Sequence, residues 1–263
     1  MIGFLIKKNF CDGWDNLLSL FITNIIIIFL AVAIAFLNIV ASELGLIIQI
    51  LTIILSTIIV SIFIFAYGET AAQIANFNGI RIFAFFKEIP KVLKDAFLFG
   101  LMLSLVVMIS LYAIHYYFTQ MGGYLGFFIG AAICWILIFF LLAMIWFIPI
   151  RSLMHNNFKK CLKKSFIILF DNTAFTLFVA LYDLVLIAFT VLFVGLMPSI
   201  SGILIANTNA LRLRLYKYDY LEEHPELVGK KDRKKIPWED LIYDDREALG
   251  PRKLKSFLFP WKE

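Results

Sequence analysis

Four stretches of this chain, 17–41, 44–67, 96–118 and 124–148, contain no Asp, Glu, Lys or Arg, and a fifth, 174–197, contains only Asp183. A helix rises about 1.5 Å per residue and the hydrocarbon layer of a bilayer is about 30 Å thick, so roughly 20 apolar residues make one crossing. Each of the five is long enough. A chain that is 62% hydrophobic and 16% charged cannot bury such runs in a single soluble core, so the expected class is an all-α integral membrane protein. The first run follows Lys7 and Lys8 as a secretory signal would. It continues unbroken to Ala41, longer than a signal core, and reads as a retained first helix.

All 24 Lys and Arg residues fall at Lys7 and Lys8, in 81–94, in 151–164, or from Arg212 onward. The connectors at 42–43, 119–123 and around Pro198 have none. Short cytoplasmic loops retain cations and exported ones lack them, so both termini are expected in the cytoplasm. A sixth segment, 199–213, is short and includes Asn207, Thr208 and Asn209; its length alone fits a re-entrant piece about as well as a crossing. Parity favours crossing, because five spans would export the cation-rich tail. The expectation is six spans in three antiparallel hairpins, residues 1–216, followed by a polar cytoplasmic tail, 217–263. The cations lie at membrane edges, which points to anionic lipid headgroups and not to nucleic acid.

Two connectors have helical character. In 157–170, Phe158, Leu162 and Phe166 recur every four residues while Lys159, Lys160, Lys163 and Lys164 crowd the other side, as in a basic interfacial helix that contacts lipid headgroups. The stretch 81–94 mixes Phe83, Phe85 and Phe86 with four cations and is interrupted by Pro90, which predicts a second interfacial elbow. In the tail, Trp238 and the run with Phe257, Phe259 and Trp261 are apolar anchors in a polar context. They suit either folding back on the bundle or binding a protein partner.

Asp183 is the chemical outlier. A carboxylate within a span must face the bundle interior, be protonated or find a partner, and the neighbouring segments offer Asn24, Gln49, Thr52, Ser56, Asn207 and Asn209. Asp183 with Gln49, Asn207 and Asn209 is therefore a candidate proton or cation site, weighed against plain interhelical hydrogen bonding. Gly122, Gly126 and Gly130 repeat every four residues and predict close helix packing, most simply against Gly100 and Ser104. Cys11, Cys134 and Cys161 have no paired spacing, and His115, His155 and His224 match no metal motif, so free thiols and no metal or cofactor are expected. There is no phosphate-binding glycine loop, zinc helix or nucleophile elbow, and Ser152 with His155 lacks an orienting acid nearby in sequence. An enzyme is disfavoured.

The order of three pieces resembles the YesL family of bacterial membrane proteins. They are the Phe/Lys-rich entry 85–94, the basic entry 163–172 with its Asn172, and Met197-Pro198-Ser199 before a short last helix. The small-residue exit Gly68-Glu69-Thr70-Ala71-Ala72 is similar as well. Pro90 and the long tail depart from the family pattern. The resemblance implies six helices in a bacterial inner membrane and an accessory role beside carbohydrate uptake systems, without naming a substrate. The leading expectation is a non-enzymatic accessory or scaffold protein that engages a membrane complex through its cytoplasmic face and tail. The alternative is a small transporter or channel working through Asp183.

Overall fold

The computed structural model describes residues 1–227 and 236–252. Among them the structure is all-helical: α1 (Ile2–Asp15), α2 (Leu17–Leu44), α3 (Leu46–Ala75), α4 (Ala84–His115), α5 (Gly123–Met144), α6 (Phe147–Met154), α7 (Phe158–Asp171), α8 (Thr173–Leu192), α9 (Ser199–Glu223), α10 (Trp238–Leu241) and α11 (Tyr243–Leu249). A π-helical turn, Tyr116–Met121, extends α4. Five helical stretches are long and apolar enough to cross a membrane: α2, α3, α4 with its π turn, α5 with α6, and α8. The expected sixth segment forms the first half of α9, which carries Asn207, Thr208 and Asn209 and runs on through residue 217 without a break.

Burial divides the molecule along the helix axes. No residue of α2 between Asn24 and Ala41 is buried, and none of α4 beyond Ser104. The apolar side chains there, including Phe29, Phe36, Ile109 and Tyr112, point outward, as lipid-facing residues do. The packed core collects at the other end, where Phe65, Tyr67, Val92, Trp146, Phe147, Leu169 and Leu211 are almost wholly inaccessible. At about 45 Å α3 is long enough to serve both halves. Its first turns face outward, and from Phe65 to Ala75 it is wrapped by protein.

The most extensive helix pair is α3 with α4, which belong to different hairpins in the sequence-based expectation. Gly100 allows it: a Cβ there would stand 2.7 Å from the Ile58 Cα. Gly126 and Gly130 pack elsewhere, against Tyr117 and Phe118 of the π turn, while Gly122 forms the turn itself with φ +58°. The expected elbow at 81–94 is not a separate element. From Ala84 its residues form the opening turns of α4, which continues through Pro90 because Phe85, Val92 and Ala96 share one buried stripe. That burial outweighs the backbone bond lost at the proline.

The helix that organises the packed end is α9, which touches α1, α2, α3, α6 and α8. Asn24 of α2 fixes where it begins. The Asn24 amide donates to the carbonyls of Leu196 (2.7 Å) and Pro198 (3.3 Å), and its oxygen accepts from Ser201 Oγ (2.6 Å). Asn24 lies about 30 Å of helix below Leu44, so the α8–α9 turn stands far from the α2–α3 turn at Gly45.

Candidate functional site

The polar residues that make 199–213 a poor crossing are buried on α9; Thr208 bonds the Leu204 carbonyl of its own helix, while Asn207, Asn209 and Arg212 meet groups brought by other helices. Asn207 sits beside Asp183 of α8, whose Oδ1 has no hydrogen-bond partner; the Asn207 oxygen is likewise unpartnered. Two residues on, the Asn209 amide donates to Asn9 Oδ1 (2.8 Å) and Asp12 Oδ2 (2.7 Å) of α1. Asp12 pairs with Lys8 at 3.0 Å, and the Lys8 ammonium lies 3.7 Å from the centre of the Phe77 ring. Lys8 is 2% exposed and Asp12 5%, so this is a true interior ion pair. Burial lowers the pKa of Lys8 and raises that of Asp12 even against their mutual attraction. Desolvation therefore costs more than the pairing returns.

Further along, Arg212 donates to Asp245 of α11 (2.8 Å), to Asn76 (3.0 Å) and to the Ala75 carbonyl, closing the end of α3 against the tail. The Tyr216 hydroxyl also reaches Asp245. Arg214 lies 3.8 Å from the centre of the Phe175 ring and 5.2 Å from that of Trp238. Lys217 and Tyr218 hold Asp171 at 3.1 Å and 2.8 Å. Arg252 pairs with Asp15 at 2.6 Å, and Lys7 donates to the Gly250 carbonyl. The described part of the tail is thus folded back on α1 and α9, with Ile242 and Leu249 buried beneath it.

A second polar centre joins three helices. Arg151 of α6 bridges Glu69 of α3 (2.6 Å) and Asp95 of α4 (3.0 Å). Arg151 and Glu69 border a polar cleft of about 380 Å³ that also takes in Glu88, Lys91, Ser152 and His155. The acid that Ser152 and His155 lack in sequence is supplied here by Glu69. No hydrogen bond links the serine to the histidine, and His155 is exposed, so the two are not arranged as a nucleophilic pair.

The sequence-based candidates separate. Asn207 and Asn209 join the same face as Asp183. Gln49 does not, because it lies in the first turn of α3, at the opposite end of that helix from the Ala75 carbonyl that Arg212 holds. The stripe below it is spent elsewhere: Thr52 bonds the Ile48 carbonyl of its own helix and Ser56 accepts from Asn38 of α2. On α7 the face with Cys161, Ser165, Ile168 and Leu169 is buried, leaving Lys159, Lys160 and Lys163 exposed and Lys164 half-buried beside Met154. Burial pushes the Cys161 thiol up to about 11, with Asp95 adding to it, so it is not a reactive nucleophile. Trp238 packs near Arg214; Phe257, Phe259 and Trp261 lie outside the described residues.

Sequence reasoning missed α1, Asp12, Asp95 and the interior role of Lys8. One signal was present: Lys8 and Asp12 are four apart, as are Ile2, Ile6, Phe10 and Trp14 on another face. The chain matches no family model, no curated protein and no solved structure.

Proposed function

We propose that this chain is a non-enzymatic, YesL-like accessory protein of a bacterial cytoplasmic membrane, whose charged end engages another membrane protein. The observation that carries this reading is the interlock of α1, α9 and the tail through Arg212–Asp245, Arg252–Asp15 and Lys7. It builds an ordered platform joined to the end of α7, whose lysine face lies beside it, through Lys217–Asp171.

The same interlock supports an even number of crossings, since groups that pair directly share one side of the bilayer. Cation segregation supports the cytoplasm as that side. The count that best fits the packing is four, by α2, α3, α4 and α5. The α8–α9 turn meets α2 at Asn24 and Ile28, about 25–30 Å short of the Gly45 turn. In this reading α8 and α9 form a re-entrant hairpin in the inner leaflet and not a fifth and sixth crossing. Non-helical backbone is tolerated at such depth when protein satisfies it, which Asn24 does. Single cysteines at Glu43, Gln120 and Val194, with the three native cysteines replaced, test the topology. An impermeant maleimide added outside should label the first two and spare Val194. Labelling at Val194 would restore the six-crossing arrangement.

For the function itself, tagged full-length protein is compared with chains ending at Arg252 and at Tyr216. The shorter cut removes Asp245 and dismantles the platform; the longer one keeps it. A stoichiometric membrane partner lost only on cutting at Tyr216 supports the platform as the docking face, and loss already at Arg252 supports Phe257, Phe259 and Trp261. Identical co-purifying sets from all three chains would sink the reading.

A second reading, a proton or cation site at Asp183, draws on the unpartnered Asp183 and Asn207 oxygens. Asp183 lines none of the three main clefts, which weighs for hydrogen-bonded packing instead. Unchanged ion flux in Asp183→Asn would remove it.

A further inference from the structure

An apolar cleft of about 700 Å³ runs between α1, the start of α2, the far half of α8 and the α8–α9 turn. Leu17, Leu20, Phe21, Phe189, Leu196 and Ile205 give its character, and Asn9 and Tyr182 stand on its inner wall. Its volume is that of a small-molecule site, which runs from about 300 to 1,000 Å³. It opens between Leu17 of α2 and Val185 and Phe189 of α8, all outward-facing and continuous with the apolar surfaces of two helices suited to lipid. An apolar cleft that continues a lipid-facing surface is filled by what already covers that surface. Asn9 adds polarity at one point of the wall, where its Oδ1 is taken by Asn209.

We propose that this cleft is a retained-lipid site, holding an acyl chain of one membrane phospholipid against α1 and the α8–α9 hairpin. Its leaflet rests on the topology argued above, but the site itself requires only that α2 and α8 face lipid. A bound chain would stay with the protein after annular lipid is stripped, and it would couple the re-entrant hairpin to α1. The glycines of α1 provide a matched test. A Cβ at Gly13 meets nothing within 4 Å, and Gly13 lines the cleft; Gly3 is equally open but borders a different cleft, against α11. Leu at either position fits the helix and improves its propensity.

Wild type, Gly13→Leu and Gly3→Leu are purified in mild detergent, delipidated, and titrated with phosphatidylethanolamine of one defined mass under native mass spectrometry. The expected result is one retained phospholipid on wild type and Gly3→Leu, and a lipid-bound fraction lowered about tenfold in Gly13→Leu at unchanged Tm. Equal retention by all three, or none by wild type, overturns the proposal. So does a dimer mass that Gly13→Leu abolishes, which would make a second copy the occupant. A chain ending at Arg252 that takes up about tenfold more lipid than the full chain would assign the cleft to the C-terminal segment instead.

Discussion

Helices α2 and α9 are similar in length and opposite in design. The first is almost uniformly apolar and shows most of its surface; the second carries Ser199, Ser201, Asn207, Thr208, Asn209 and Arg214, all buried. In water the polar helix would be the outer one. Here composition follows the solvent: a helix that touches hydrocarbon must be apolar, whereas one enclosed by other helices is free to carry groups that bond across them. The polarity that disqualifies 199–213 as a lipid-exposed crossing is what suits it to the centre of the packed end.

The sharpest way to break that comparison is to ask whether the buried charges stabilise the centre or only specify it. Lys8→Met alone leaves the Asp12 carboxylate interior and held only by Asn209, and should cost about 3–5 kcal/mol. Lys8→Met with Asp12→Asn removes both charges while the new side-chain amide oxygen still accepts from Asn209, and should fall within about 1 kcal/mol of wild type. The directions of the two pKa shifts, Lys8 down and Asp12 up through burial, anticipate this. Unfolding in mixed micelles measures both variants. A double variant as unstable as the single one would mean that the pair itself holds α1 to α9.

How far these features are readable without coordinates follows from the same contrast. Residues that meet lipid announce themselves, because long uncharged runs have no other use, and the outer faces of α2, α3, α4 and α5 were legible for that reason. Protein-enclosed elements were not. Lys8 reads as a topology charge until Asp12, Phe77 and Asn209 are seen around it. Asn24 reads as a partner for Asp183, yet it holds the α8–α9 turn. Arg151, Glu69 and Asp95 are far apart in the chain and meet only because α3, α4 and α6 pack together. Pro90 reads as a break, and only the buried stripe on both sides of it explains why α4 continues.

A middle-sized effect sharpens the contrast at one residue of α2 itself. Asn24→Leu keeps the bulk but takes the amide donor from the Leu196 carbonyl and the short acceptor from Ser201 Oγ, which retains only the Pro198 carbonyl at 3.2 Å, at a cost of about 1–3 kcal/mol. Phe36→Ala, higher on the same helix and exposed, should change stability by no more than about 0.5 kcal/mol. Equal effects at the two positions would mean that the α8–α9 turn does not depend on Asn24.

The smallest expected effect lies where α9 leaves the enclosed region and meets the end of α7. Burial there works against the Asp171 charge, but hydrogen bonds from Tyr218, Lys217 and Asn172 outweigh it and hold its pKa below the ordinary 3.8. A carboxylate depressed in the folded state contributes stability that is fully present above pH 3.8 and lost as pH falls through the folded value. Wild type should therefore lose Tm below pH 3.8 more steeply than Asp171→Asn, by a small margin because Asp171 is partly exposed. The contrast with the interior pair is one of sign. Asp12, with its pKa raised by burial, contributes most when protonated, so acid relieves the α1–α9 contact while it weakens the α7–α9 contact. If Asp171→Asn and wild type follow the same acid profile, the Tyr218–Lys217 clamp contributes nothing to holding α9 in place.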